Sequence, residues 1–299
     1  MRRAPIPEVI PTSVLAQGSG VKAQNCSSLL PPAPSPQPPA KRVLGQALVL
    51  ATLLSYVAPP SAWGMSFSIE PARVELSVPA GKQRGKVVRL NNTRSNAPLH
   101  VKVYVQDVVF LPDGTSDFLP SGSTDWSCAS WIRFAPQELD IPAGRDSEVR
   151  VSVMAPPNAQ GGHYAVVFFE ASPSYQEEGG VGVNFRLGAF TEVVVPKTEV
   201  YRLHVGDLAV SPTGEVKAGL FNDGNVLVRP KGRVKVMDGQ GRKVAQLPFN
   251  PNRLGILPNT LRQFPMQLEP LRAGNYRLRT EIDYGAPKIA VGECSFTID

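Results

Sequence analysis

Residues that could do chemistry are sparse in this chain. It has three histidines and three cysteines among 299 residues. His100 alternates onto the polar side of "LHVKVYVQD", His163 follows Gly161 and Gly162, and His204 stands near the boundary of two candidate domains. No pair has ligand spacing on one face and no C-x-x-C accompanies them, so no metal site is spelled. Asp113, Asp117 and Asp125 crowd the loop "LPDGTSDFLPSGSTDW". Such a loop either holds a calcium ion or is simply solvated. There is no G-x-S-x-G elbow and no phosphate loop. "GGVGVNF" leads into a strand, so no helix N-terminus awaits a phosphate there. Lone carboxylates without positioned partners make no acid–base pair. The reading is of a non-enzyme, with no catalytic residue, no cofactor and no metal.

The elements that would carry these residues are strands. From Phe67 onward the apolar period is two. Leu99, Val101, Val103 and Val105 share one face, as do Val149, Val151 and Val153. "HYAVVFFE" is apolar on both faces, as a central strand or one at a domain junction should be. Turns are spelled by "PAG" (twice), "PDG", "APPNAQGG", "NDGN", "DGQG" and "RAGNY". Strands recurring every ~8–12 residues predict an all-β chain of two tandem immunoglobulin-like β-sandwiches behind an N-terminal signal segment. The first sandwich is placed at 65–196 and the second at 197–299.

Residues 41–64 read as an export signal. Lys41 and Arg42 precede the apolar run Val43 to Ala58, and Ala62 and Gly64 stand at −3 and −1 of a cleavage before Met65. A retained anchor is the rival, but the run is shorter than the ~20 residues a spanning helix needs. No stable membrane span is therefore expected after cleavage. Residues 1–40, with "SSLLPPAPSPQPPA", are Pro-rich and unsuited to a core, a disordered extension or an over-extended start. The net charge of +6 is concentrated at this end. Without residues 1–64 it drops to about +2, and no basic patch argues for nucleic acid. Cys26 lies in the leader, and Cys128 and Cys294 fall in different domains, so the expectation is free, buried thiols, with a bridge between domains or chains as the alternative. The location is periplasmic or otherwise exported to the cell envelope.

One motif is written twice: "ELSVPAGKQRGKVVRL" from Glu75 and "ELDIPAGRDSEVRVSV" from Glu138. In each, Pro ends a strand because it cannot donate to a ladder, and Gly supplies a tight reversal. The expectation is two hairpins at two edges of one sandwich, a pseudo-symmetry within one domain.

"IEPARVELSVPAGKQRGKVVRLNNT", "WIRFAPQELDIPAGRDSEVRVSV", "APP" and "GHYAVVFFE" together resemble the PapD-like periplasmic pilus chaperones over Ser66 to about Glu170. That resemblance implies a strand-lending binder of an exported or fimbrial subunit. It gives Arg73 the role of holding the subunit's C-terminal carboxylate. The Lys that the family places on the last strand of the first domain is missing, since Gly188, Ala189 and Phe190 stand there. The last strand implied to pair with the partner carries Val181, Val183, Phe185 and Leu187 as its apolar row. The alternative is an ordinary last strand with that row in its own sandwich. "NDGNVLVRPKGRVKVMDGQG" and "LPNTLRQF" are more similar to the second domain of Gram-positive cell-surface proteins that bind WxL-type wall proteins. This keeps a second function open, an envelope scaffold that binds wall polymer or a surface protein.

Overall fold

The computed structural model describes residues 66–93, 97–174 and 184–298. The signal and the Pro-rich extension lie outside them. The chain folds as all-β sandwiches. Among the described residues the first is built from β1 (Ser68–Glu70), β2 (Arg73–Ser77), β3 (Gln83–Asn91), β4 (Leu99–Phe110), β5 (Ser116–Leu119), β6 (Ile132–Ala135), β7 (Glu138–Ile141), β8 (Asp146–Met154), β9 (Gly161–Pro173) and β10 (Phe185–Val195). One sheet runs β1-β3-β8-β6. The other runs β2-β10-β9-β4-β5, with β7 pairing the start of β4. The period-two residues meet between them: Val88 and Leu90, Val149 to Val153, Leu99 to Val103, and Val167, Phe169 and Ala171 of the central strand β9 are buried together. Cys128 joins this core as a free thiol, and burial followed by the charge of Asp107 pushes its pKa up.

The doubled motif does not make hairpins. β2 pairs in parallel with β10 and β7 pairs with β4, while β3 and β8 pair with each other in the opposite sheet. Each copy is a corner that carries the chain from one sheet to the other. The reason is twofold. Proline closes the ladder side of the first strand, and the turn glycines Gly81 and Gly144 take φ of 69° and 70°, which re-aims the chain. The pseudo-symmetry itself is real. Val87 and Arg150, which hold equivalent places in the two copies, are register partners. Gly81 N–H donates to Ala155 C=O at 3.0 Å, and its counterpart Gly144 N–H donates to Asn92 C=O at 3.1 Å.

The second sandwich holds β11 (Leu203–Val210), β12 (Glu215–Asn222), β13 (Lys231–Asp238), β14 (Lys243–Phe249), β15 (Thr260–Gln267), β16 (Gly274–Asp283) and β17 (Ala290–Ile298). Its sheets run β11-β12-β15 and β14-β13-β16-β17. Leu220, Val234, Val236, Phe249, Ile256 and Leu278 are central to its core. Cys294 is also free but only half-buried, on β17.

A separate apolar cluster joins the sandwiches. Tyr164 of β9 is fully buried with Leu227 and Leu257, flanked by Trp126, Phe110 and Phe190. Leu227 N–H donates to the Tyr164 hydroxyl at 2.5 Å, and Gly162 N–H donates to Asn225 C=O at 2.8 Å. A Cβ at Gly162 would collide with that hydroxyl and stand 3.3 Å from Val226 Cα. Gly162→Ala is therefore expected to cost about 1–3 kcal/mol through overpacking. Gly206→Ala, whose Cβ would meet nothing nearer than 3.6 Å, is the control. Urea unfolding of the two variants measures the difference.

Candidate functional site

Among the described residues β10 is paired along its whole length on one side only. β9 accompanies it from Phe185 to Val195, but β2 accompanies it only from Phe190 to Val194. Phe190 N–H donates to Ala72 C=O at 3.1 Å and Val78 N–H to Val194 C=O at 2.9 Å. Even-numbered residues of β10 thus turn their backbone groups toward β2. Strand alternation carries this back to Gly188 and Arg186. Both are exposed, and no described strand pairs with them there. Such an open edge is a template for another strand.

The same alternation sorts the side chains. Phe185 packs partly against the first core, and Leu187 is half-buried with the same inward parity. Val181 and Val183 lie outside the described residues. The outward face belongs to Arg186, Gly188, Phe190 and Glu192. Arg73 opens β2 as the register partner of Phe190. Its side chain is exposed, pairs weakly with Glu75 at 3.4 Å, and sits 5.9 Å from the Phe190 ring centroid. An aromatic ring thus stands next to Arg73, near where the resemblance expects a lysine.

Cations missed in the sequence gather at this face. A cavity of about 570 Å³ between the sandwiches is lined by Arg73, Arg186, Arg229, Arg253 and Arg262, together with Phe110, Phe118, Phe168 and Phe190. The Arg186 guanidinium lies 3.8 Å over the Phe168 ring, a cation–π contact, and also bonds Gln106. Arg229 grips Glu192 with bonds of 2.5 and 3.4 Å, a charge-assisted fork across the junction. Arg262 of β15 is buried, and Gln263 N–H beside it donates to Pro112 C=O at 2.8 Å, which seats the β4–β5 turn on the second sandwich. These arginines are single residues on three strands and two loops, and only the fold unites them.

The histidines do not converge. His100 meets Asp140 at 2.9 Å on an exposed face, His204 meets Asp223 at 3.4 Å, and His163 stacks on Trp131 with ring centroids 4.1 Å apart. Asp113 and Asp117 bond backbone N–H groups of their own turn. Among the described residues no group of three or more His, Cys, Asp or Glu is placed to hold a metal, and no helix is long and apolar enough to cross a membrane.

Fold and site define an all-β, two-sandwich protein with an open edge strand beside an arginine-lined cavity. The sequence matches no protein-family model and no curated protein. Solved structures that it is similar to include fimbrial chaperones. The class 5 fimbriae chaperone CfaA is 15% identical with a TM-score of 0.47, covering 78% of this chain and 99% of that one. A chain of a chaperone–tip adhesin complex of CFA/I fimbriae biogenesis is similar at 14% identity and a TM-score of 0.46, covering 78% and 100%. The CsuC–CsuE chaperone–tip adhesion subunit pre-assembly complex of Acinetobacter baumannii gives 13% identity and a TM-score of 0.41, covering 76% and 97%.

Proposed function

We propose that this protein is an exported, non-enzymatic, chaperone-like binder that captures an exported protein subunit by strand pairing at the open edge of β10. The observation that carries the reading is the pair of outward backbone sites at Arg186 and Gly188, ending at Arg73. Added strands derive affinity from main-chain bonds and specificity from alternate side chains. Charge sets the direction. A strand parallel to β10 brings its carboxylate end to Arg73, whereas an antiparallel one would bring its ammonium end there, against the arginines. A terminal carboxylate is thus expected at Arg73 without the lysine.

The test is capture from intact cells. The C-terminus is tagged, exported proteins are cross-linked, and the captured species are identified beside Arg73→Ala and edge variants. A discrete exported protein, weakened by Arg73→Ala and lost with the edge, supports the reading. Capture of wall fragments or of a surface protein, unchanged in both variants, overturns it and leaves an envelope scaffold.

A further inference from the structure

The cavity has a chemistry of its own. Its 570 Å³ lies in the range of small-ligand sites. Five arginines line it, and among the described residues no Asp or Glu does. Arg229 is engaged by Glu192, Arg73 by Glu75, and Arg186 by Gln106 and the Phe168 ring. Arg262 is different. It is 8% exposed and donates to Gly255 C=O at 2.9 Å, yet has no ion-pair partner among the described residues. Burial pushes its pKa down, opposed only by the charge of Asp113. A Cβ at Gly114 would collide with its Nη2, so this glycine lets the β4–β5 turn lie flat against the guanidinium and hold it in place. Across the cavity, a Cβ at Gly188 would stand 2.6 Å from Val166 Cγ1, so β10 lies close on the buried Val166 and Phe168, while Phe110, Phe118 and Phe190 keep part of their surface open to the cavity. A buried cation with no ion-pair partner among the described residues therefore lines the same cavity as partly exposed aromatic rings.

We propose that this cavity binds an amphiphilic anion, a carboxylate on an aromatic or branched apolar body, with the carboxylate on Arg262 and Arg253 and the body on the partly exposed Phe110 and Phe190. Guanidinium groups bind carboxylates in a forked, charge-assisted geometry, and clefts lined by one sign of charge concentrate the opposite ion. The chemistry can arrive as a free small carboxylate or as an acidic side chain of a strand on β10, whose outward residues would pass over Gly188. The site itself stands on the cavity and does not require strand capture.

The experiment titrates the full chain with phenylacetate, phenylacetamide and acetate, followed by calorimetry and by the arginine side-chain N–H signals in NMR. Phenylacetate is expected to bind at least tenfold more tightly than either of the other two, and Arg262→Gln to erase that preference. Because Arg262 is buried and its loss endangers folding, the exposed Arg253→Gln is run beside it. It should weaken phenylacetate several-fold with an unchanged melting temperature. Equal binding of phenylacetate and phenylacetamide, or phenylacetate binding indifferent to both variants, overturns the proposal. If phenylacetate releases a captured subunit, the site reads the subunit's side chain. If it binds and the subunit stays, the site serves a free anion. Either result supports the cavity as an anion site, and neither depends on which partner the edge captures.

Discussion

Arg186→Pro is expected to reduce partner capture by more than tenfold while the protein stays folded. The N–H of residue 186 points to the open edge of β10, away from β9, by the alternation that Phe190 and Val194 establish. Proline removes this donor and sets a ring where an incoming strand would lie, but leaves the β9 ladder whole, the arrangement in which edge strands tolerate proline. One lost bond is worth about 0.5–1.5 kcal/mol net. The partner's stranded carbonyl costs a further ~1–3 kcal/mol, so a factor of ten is a lower bound. Arg186→Ala separates the backbone from the side chain. It keeps the N–H and forfeits the cation–π contact, so it should capture far better than the proline variant. Binding of cross-linked or purified partner to both, with circular dichroism as the folding control, decides. Equal capture by the two variants would remove strand pairing from the explanation. Phe185→Glu is a poorer probe, because Phe185 packs against the first core and a charge there threatens the fold itself.

Much of the scaffold is legible in the sequence for a physical reason. A half-buried strand must alternate, so Leu99 to Val105 and Val149 to Val153 announce both their element and their inner face. A strand covered on both sides, "HYAVVFFE", announces its central place. What alternation does not encode is which sheet a strand joins. The two Pro-Ala-Gly turns look like hairpins because a turn between two strands has the same local grammar whether the strands pair or face each other across a core. The choice is made by β9, β10 and β4, far away in the chain. The site was partly legible. The resemblance names Arg73 and Phe185, and these stand at the two ends of the open stretch. Arg186, Arg229 and Arg262 were not found, because each is a lone arginine whose meaning comes from strands of two sandwiches meeting. The strand glycines Gly162 and Gly188 carry the available signal, since a glycine inside a strand marks a close approach, whereas Gly114 reads only as a turn residue.

Arg229→Met is expected to be among the most destabilising single changes at the junction, at about 3–5 kcal/mol, the range for stripping a buried charge of its partner. Glu192 is 8% exposed and stands on the outward face of β10, where Arg229 reaches it from the second sandwich. Without the guanidinium this carboxylate is held in a largely apolar site beside Tyr164, Leu227 and Phe190. The reverse change is milder. In Glu192→Gln the arginine keeps Glu75, already 3.8 Å away and open to solvent, so the cost should be smaller. The double change Glu192→Leu with Arg229→Met should recover most of the loss, because an apolar pair of similar volume needs no compensation. Urea unfolding of the four proteins gives the coupling directly. The double variant also isolates the role of the ion pair in function. Arg229 lines the cavity, and Glu192 lies two residues beyond Phe190 on the same face. If the pair only ties the sandwiches together, the double variant should retain phenylacetate binding and partner capture at its recovered stability. If it also sets where the second sandwich holds Arg253 and Arg262 over Gly188, anion binding should stay impaired after stability returns, and the junction would then be part of the recognition surface.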